Sequence, residues 1–217
     1  MPVKIQTPEW VKNAVFYQIF PDRFNDGDPS NNVRTGEYER EGHKTKSRTW
    51  GEVPYKWEKA GSMDFFGGDL QGIIDQLDYL QSVGVTGVYL CPIFDAESNH
   101  RYDITDFFNV SKHLGGNEAL ADLRQALDER DMTLILDITP NHISFHHPWF
   151  LSAQADPNSP FAAYFARDDE SGEFETWLGT TSLIKLNYAS DELREIMYRA
   201  EDSALKVWLD EPYRIDG

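Results

Sequence analysis

Short apolar runs alternate with amphipathic segments along this chain of 217 residues, and the alternation limits the folds it can adopt. The apolar runs are rich in β-branched, aromatic and aliphatic residues, as buried strands are. The segments between them repeat apolar residues at helical spacing. The predicted strands are 14–20, 85–90 and 133–138, and the predicted helices are 69–82, a segment N-capped by Asn117, and 191–209. Strict alternation predicts a parallel sheet with right-handed crossovers.

The links that follow the strands are long, whereas the links from helix to strand are short. Residues 21–68 and 92–114 read as polar loops, and 144–188 is long enough to form a small lobe. This difference in loop length is typical of a barrel or doubly wound sheet whose functional site lies at the carboxyl ends of the strands. Three and a bit strand–helix units cannot close a barrel of about 250 residues. We therefore expect either an open sheet or part of a longer protein.

Composition excludes some partners. Asp and Glu total 37 against 20 Lys and Arg, a net charge of −17, which argues against binding a nucleic-acid backbone. The single cysteine, Cys91, allows no internal disulfide. No stretch is long and apolar enough to cross a membrane, and residues 1–10 lack the apolar core of a signal peptide. A soluble cytoplasmic protein is the expectation.

Polar side chains collect directly after the third apolar run, in the segment Asp137-Ile138-Thr139-Pro140-Asn141-His142. In an α/β barrel, this end of a strand is where the chemistry takes place. The alternative is a capping turn that contains Asp, Asn and His by chance.

The loop 25–32, Asn-Asp-Gly-Asp-Pro-Ser-Asn-Asn, is a second candidate site. Closely spaced oxygen ligands around a glycine suit Ca²⁺, which takes about 6–8 oxygens, although the spacing does not match an EF-hand. The alternative is an Asx-rich surface turn.

Five segments together resemble the α-amylase family of glycoside hydrolases, family 13. The first four are 17–24 (YQIFPDRF), 67–70 (GGDL), 100–103 (HRYD) and 137–142 (DITPNH), and the fifth is 183–187 (LIKLN). They occur in the family's order across essentially the whole chain. The Lys-Leu-Asn of the last segment is similar to the branch that contains neopullulanases, cyclomaltodextrinases and maltogenic amylases.

The resemblance implies an α/β fold, the N-terminal part of a (β/α)8 TIM barrel with a domain B insertion after strand 3. The implied boundaries are 1–143 for barrel strands 1–3 and helices 1–2, 144–188 for domain B, and 189–217 for helix 3 and the start of strand 4. It implies a retaining α-glucan hydrolase whose catalytic carboxylates lie beyond Gly217, so the chain alone is expected to be inactive. The alternatives are a transglycosylase or isomerase of the family, and a non-catalytic carbohydrate-binding or partner subunit.

The resemblance also assigns roles to individual residues. Substrate contacts are implied for His100, Tyr102, His142 and Lys185. Support of the site is implied for Asp103, Asp137 and Asn141. Calcium ligation is implied for Asp26, Asp28, Asn31, Asn32, Gly67 and Asp69. Some of these residues have a plainer alternative role. Tyr102 is then a loop tyrosine buried for packing, and His100 and His142 are structural histidines. Asp137 is an ordinary buried carboxylate that needs a partner, and Lys185 is a solvated lysine. The implied partner is an α-glucan oligosaccharide; oligomeric state, and cyclic against linear substrates, stay open.

Overall fold

The fold is that of a computed structural model, described here for residues 6–217. The strands are β1 (Phe16–Ile19), β2 (Glu39–Arg40), β3 (His43–Lys44), β4 (Lys46–Ser47), β5 (Asp64–Phe65), β6 (Gly87–Leu90), β7 (Phe94–Ala96), β8 (Ile104–Val110), β9 (Thr133–Leu136), β10 (His142–Ser144), β11 (Thr176–Trp177) and β12 (Thr180–Lys185). The α-helices are α1 (Glu9–Asn13), α2 (Trp57–Ala60), α3 (Leu70–Asp75), α4 (Leu77–Ser82), α5 (Gly116–Asp128), α6 (Pro148–Ala155) and α7 (Asp191–Arg194). Short 3₁₀ turns are Pro21–Arg23, Pro29–Asn31, Lys112–Leu114, Ala162–Tyr164 and Lys206–Trp208, and a π turn is Glu195–Arg199.

A parallel sheet forms in the order β1, β6, β9, as the alternating pattern predicts. The chain continues this sheet at its end, because the Asp216 N–H donates to the Leu134 carbonyl and the Leu136 N–H donates to the Gly217 carbonyl. The predicted start of a fourth strand therefore lies beside β9. The loops after β1, β6 and β9 all leave from one edge of the sheet.

The predicted helix over 69–82 is two helices with a break at Gln76. The Gln76 backbone has φ −105° and ψ 2°, and its N–H bonds to Ile73 with the tighter spacing of a 3₁₀ turn. Both halves bury their apolar residues, Leu70, Ile73, Leu77 and Leu80. Asp69 begins the first half, where its carboxylate accepts the Gly72 N–H.

The prediction of a polar loop over 92–114 was wrong, because β7 and β8 form an antiparallel hairpin there. The pairing carries two register shifts, and β8 buries every third residue, Ile104, Phe107 and Val110. Bulges disturb the alternation that identifies a strand in sequence. A spacing of three does not match the period of two that identifies a strand.

Two helix boundaries also differ from prediction. Asn117 lies inside the first turn of α5 and is not its N-cap; its side-chain oxygen accepts the Val110 N–H at 2.7 Å. The predicted helix over 191–209 stops at Arg199, since Ala200 is extended with ψ 154°. Leu205 and Ala204 then return to the turns before the break through bonds to Met197 and Ile196.

The excursion after β9 forms its own antiparallel sheet, in the order β10, β12, β11. Its apolar residues Ile143, Phe150 and Ile184 belong to the same buried cluster as Leu90 and Leu134 of the parallel sheet. One continuous core thus fixes the excursion against the strand ends. Within residues 6–217, no helix has both the length and the apolar character that a membrane crossing requires.

Candidate active site

A cleft of about 800 Å³ opens at the carboxyl edge of the parallel sheet. The loops after β6 and β9 supply His100, Tyr102, Thr139 and His142, which we call the floor, and two further segments supply the other lining residues, which we call the walls. One wall comes from the long segment after β1 and the other from the hairpin β11–β12. The lining residues are Arg40, Glu41, Trp57, His100, Tyr102, Thr139, His142, Trp177, Thr180, Ser182 and Leu183.

Tyr102 and Asp137 come from different strand exits and meet. The Tyr102 hydroxyl donates to Asp137 Oδ2 at 2.7 Å. Burial, and after it this hydrogen bond, raises the pKa of Tyr102, so the hydroxyl keeps its proton and acts as a donor. The bond fixes the ring while leaving a face at the cleft, where an aromatic surface can pack against the C–H face of a sugar.

His100 stands beside Tyr102, with their ring centroids 5.8 Å apart. Arg101 between them has a left-handed backbone, φ 59°, a conformation that non-glycine residues adopt mainly where surrounding structure enforces it. The Tyr102 N–H donates to His100 Nδ1 at 3.1 Å, and Ser98 Oγ lies 3.0 Å from the same nitrogen. Burial lowers the pKa of His100, so the ring is neutral near pH 7.

The buried side chains of Ser98, Asp103 and Arg40 hold this loop in place. Ser98 donates to Asp103 Oδ1 and accepts the Arg101 N–H at 3.0 Å. Asp103 is fully buried and pairs with Arg40, whose Nε lies 3.0 Å from Asp103 Oδ2. The segment after β1 is thereby tied to the loop that carries His100.

His142 is buried at the start of β10 and lines the cleft. Its Nδ1 lies 3.2 Å from the Asn141 amide nitrogen, whereas its Nε2 is buried without a hydrogen-bond partner. Burial lowers the pKa of His142, an effect that the Tyr102 carbonyl and Asp103 partly oppose. A buried polar atom without a partner at a cleft is what a ligand hydroxyl would satisfy.

The structure brings most of the predicted site residues together. His100, Tyr102 and His142 line one cleft, and Asp103, Asp137 and Asn141 each contact one of these residues or their loop. Lys185 is paired with His142 across strands β10 and β12, but its side chain is directed elsewhere. It does not line the cleft, and its ammonium pairs with Glu175 at 2.6 Å.

Sequence reasoning missed the residues of the two walls. Arg40 gave no signal, because one arginine between Glu39 and Glu41 reads as a charged surface segment. The half-exposed Trp177 lies in Thr-Trp-Leu-Gly, a hairpin signal that could have pointed to an aromatic side chain at a loop tip.

The acidic loop after β1 is organised around the Asp69 carboxylate. Asp69 Oδ1 accepts the N–H groups of Gly27 and Gly72, and Oδ2 accepts the Asp28 N–H and the Asn31 side-chain amide, all within 3.1 Å. Four donors use the acceptor capacity of a carboxylate. Asp28 likewise accepts the Ser30 N–H.

Three other oxygens of this loop are buried without hydrogen-bond partners: Asp26 Oδ1, Asn31 Oδ1 and Asn32 Oδ1. Asn32 donates to the other Asp26 oxygen at 2.8 Å and packs so closely on Gly67 that a Cβ there would lie 2.4 Å from its oxygen. Between residues 6 and 217, no cluster of three or more His, Cys, Asp or Glu could hold a metal. Two of the three free oxygens belong to asparagine side chains.

Known proteins resemble this chain over nearly its whole length. The model of the α-amylase catalytic domain family matches residues 18–217. The intracellular maltogenic amylase of Bacillus subtilis is 38% identical over 98% of this chain and 33% of its own length. A cyclomaltodextrinase of Geobacillus thermopakistaniensis is 34% identical over 98% of this chain and 34% of its own. The chain thus spans about a third of these curated relatives.

Solved structures agree with this assignment. The type III pullulan hydrolase from Thermococcus kodakarensis superposes with a TM-score of 0.84 and 32% identity, over 96% of this chain and 37% of its own. The cyclic α-maltosyl-(1→6)-maltose hydrolase from Arthrobacter globiformis gives a TM-score of 0.81 and 32% identity, over 98% and 45%. The resemblance in the sequence motifs is confirmed, and so is the fold, the N-terminal part of a (β/α)8 barrel. The chain belongs to the α-amylase family and forms part of its catalytic domain.

Proposed function

We propose that the protein carrying this chain is a retaining α-glucan hydrolase, and that this chain supplies the side of the site that holds the sugar. The observation that carries the proposal is the meeting of Tyr102, His100 and His142 at one cleft. An aromatic face beside two neutral imidazoles, one of which has a buried nitrogen without a partner, suits a neutral, hydroxyl-rich ligand. The relatives named as maltogenic amylase and cyclomaltodextrinase support the same class of substrate.

The reacting carboxylates are proposed to come from outside this chain. Retaining hydrolysis uses two carboxyl groups about 5–5.5 Å apart. Among the described residues, the one carboxylate that lines the cleft is Glu41, and it is paired with Arg40. Asp137 supports Tyr102 and is already hydrogen-bonded, so neither acid has the arrangement that the reaction requires.

Hydrolysis by the complete gene product tests this proposal. Maltotriose, maltoheptaose, cyclodextrin and pullulan are incubated with it, and the anomer of the first product is read by NMR. We expect release of the α-anomer from at least one substrate. The 217-residue chain alone should release no nitrophenol from a chromogenic maltoside. Turnover by that chain, or β-anomer from the complete protein, would refute the proposal.

We also propose a calcium site in the loop after β1. Asp26, Asn31 and Asn32 supply the three free side-chain oxygens, and Asp28, Gly67 and Asp69 complete the set of residues that surround them. Hard oxygen donors of this kind suit Ca²⁺. Bound calcium would hold the segment after β1 in place, and that segment carries the Arg40 wall of the cleft.

Calcium titration of the complete gene product tests the site. Adding calcium to chelator-treated protein is expected to raise the melting temperature by mass action. The Asp26→Ala variant should lose this response. Asp75→Ala removes the same charge from an exposed position on α3 and should keep it. Equal responses in both variants would contradict the site.

A cytoplasmic location is proposed as well, supported by the name of the Bacillus subtilis relative, intracellular maltogenic amylase. Fractionation of cells that express the gene, followed by immunoblotting, tests it.

A further inference from the structure

Two tryptophans line the cleft from different segments of the chain. Trp57 begins α2, on the segment after β1, and Trp177 ends β11, on the excursion after β9. Both line the cleft, and they remain 67% and 44% exposed. Large apolar side chains that gather at one concave surface indicate a binding surface more often than chance exposure does.

Neither indole is needed for packing of the core. Both lie outside the buried cluster and its partly buried neighbours. Within residues 6–217, Trp57 stacks on no other aromatic ring, and the one ring close to Trp177 is that of His142, at 5.3 Å. Trp177 thus lies beside the histidine whose Nε2 has no partner.

Each wall combines its flat ring with polar groups. Thr180 and Ser182 lie two residues apart on β12, so they share a face, and both line the cleft near Trp177. Arg40 and Glu41 accompany Trp57 on the other wall. A pyranose ring presents apolar C–H faces and hydroxyl groups at its edge, so each wall matches one sugar ring.

The cleft also has room for more than one ring. Its volume of about 800 Å³ lies in the upper part of the range, about 300–1,000 Å³, of sites that hold drug-sized ligands. Tyr102, His100 and His142 on the floor account for one sugar unit. The rest of the volume leaves space for others, and Trp57 and Trp177 line it as well.

We propose that Trp57 and Trp177 are specificity-determining residues, each of which stacks on a glucose unit beyond the one at Tyr102. Longer α-glucans then gain affinity that short ones cannot. This inference rests on the proposed function for its substrate class, and it adds that the site selects for chain length through these two rings.

The test compares maltotriose with maltoheptaose on the complete gene product, with Trp57→Ala, Trp177→Ala and Trp50→Ala variants. Trp50 is the matched control, because it is 43% exposed, packs on Phe66 and does not line the cleft. Each cleft variant should lose about five- to tenfold in kcat/KM on maltoheptaose and less than about twofold on maltotriose. Trp177→Phe, which keeps a flat ring, should recover most of the loss, and Trp50→Ala should change neither substrate.

Calorimetric binding of maltoheptaose to the same proteins separates the two proposals. If wild type turns over no glucan but binds maltoheptaose through the tryptophans, the proposed hydrolase fails and this inference stands. Wild-type kcat/KM on maltoheptaose in both cleft variants would overturn the inference while leaving the hydrolase intact. Equal losses on both substrates would overturn it too, since they would indicate a structural role, and so would a wild type that binds no glucan.

Discussion

At the scale of single residues, the site depends on pairs of side chains that fix one another. Tyr102 is held by Asp137, and His100 Nδ1 accepts the Tyr102 N–H. The sequence motifs singled out these residues, and the structure places them at one cleft. The motifs could not give the Arg40–Asp103 pair, which depends on a contact between segments about 60 residues apart.

Substitutions of Tyr102 separate the ring from its hydroxyl. Tyr102→Phe removes the bond to Asp137 and should lower kcat/KM on maltotriose by about tenfold, the effect of losing one hydrogen bond that orients a group. Tyr102→Ala also removes the platform and should lower kcat/KM by about 100-fold or more. Steady-state kinetics of the complete gene product measures both, and equal losses in the two variants would contradict the platform role.

Protonation of His147 is predicted to make stability fall in acid. Burial lowers the pKa of this side chain from 6.5 to about 4. Between these values the unfolded chain binds a proton that the folded chain does not, so stability is lost as pH falls from 6.5 towards 4. The full loss is about 3 kcal/mol.

The His147→Asn variant isolates this effect. His147 Nδ1 caps α6 by accepting the Trp149 N–H at 3.1 Å, and asparagine can cap in the same way without titrating. Asp22 acts in the opposite direction, since burial raises its pKa to about 6 and its proton favours the folded state as pH falls, but both proteins keep it. Urea denaturation at several pH values should show a smaller acid loss in the variant, and parallel curves would disprove the assignment.

At the scale of elements, hairpins and loops carry the site, and two of them contain strained residues. The turn between β11 and β12 places Leu178 at φ 49° and Gly179 at φ 78°, which is a type I′ turn. Leu178 is 83% exposed, so its side chain gains little to offset the left-handed backbone.

Leu178→Asn is therefore expected to stabilise the protein by about 1 kcal/mol, because asparagine tolerates this conformation better than leucine. For a chain of this size the melting temperature should rise by about 2–4 °C. Leu209→Asn is the control, as Leu209 is exposed with an ordinary φ of −84° and should gain nothing. A fall in melting temperature for Leu178→Asn, measured by calorimetry, would contradict the strain.

Strands and helices with a regular pattern of apolar residues could be predicted from the sequence. Bulges and helix breaks could not. The strands β1, β6 and β9 appear as short apolar runs, although only β6 is buried along most of its length and β1 leaves Tyr17 and Gln18 exposed. The hairpin β7–β8 was not predicted, because its bulges replace the alternation of buried and exposed residues with buried residues at Ile104, Phe107 and Val110. Leu77 and Leu80 stay buried after the break at Gln76, so the spacing of apolar residues in the sequence does not reveal the break.

At the scale of the whole molecule, the excursion after β9 and the parallel sheet share one core. The sequence predicted the excursion as a possible separate lobe from its length alone. In the structure, Phe150 packs on Phe165 and Phe174, in a cluster that extends to Leu134 of the parallel sheet. The length of the segment could not predict these contacts.

The shared core predicts cooperative unfolding. Phe150→Ala should cost about 3–5 kcal/mol, and the loss should reach both sheets. Amide hydrogen exchange measures this, as protection in β9 should fall together with protection in β12. Reduced protection in β12 alone would mean that the excursion opens as an independent unit.

A crystal structure of the complete gene product with maltoheptaose tests the central claim most directly. The account predicts a glucose ring stacked on Tyr102, with a sugar hydroxyl bonded to His142 Nε2. Sugar bound elsewhere while this cleft stays empty at saturating concentration would contradict it.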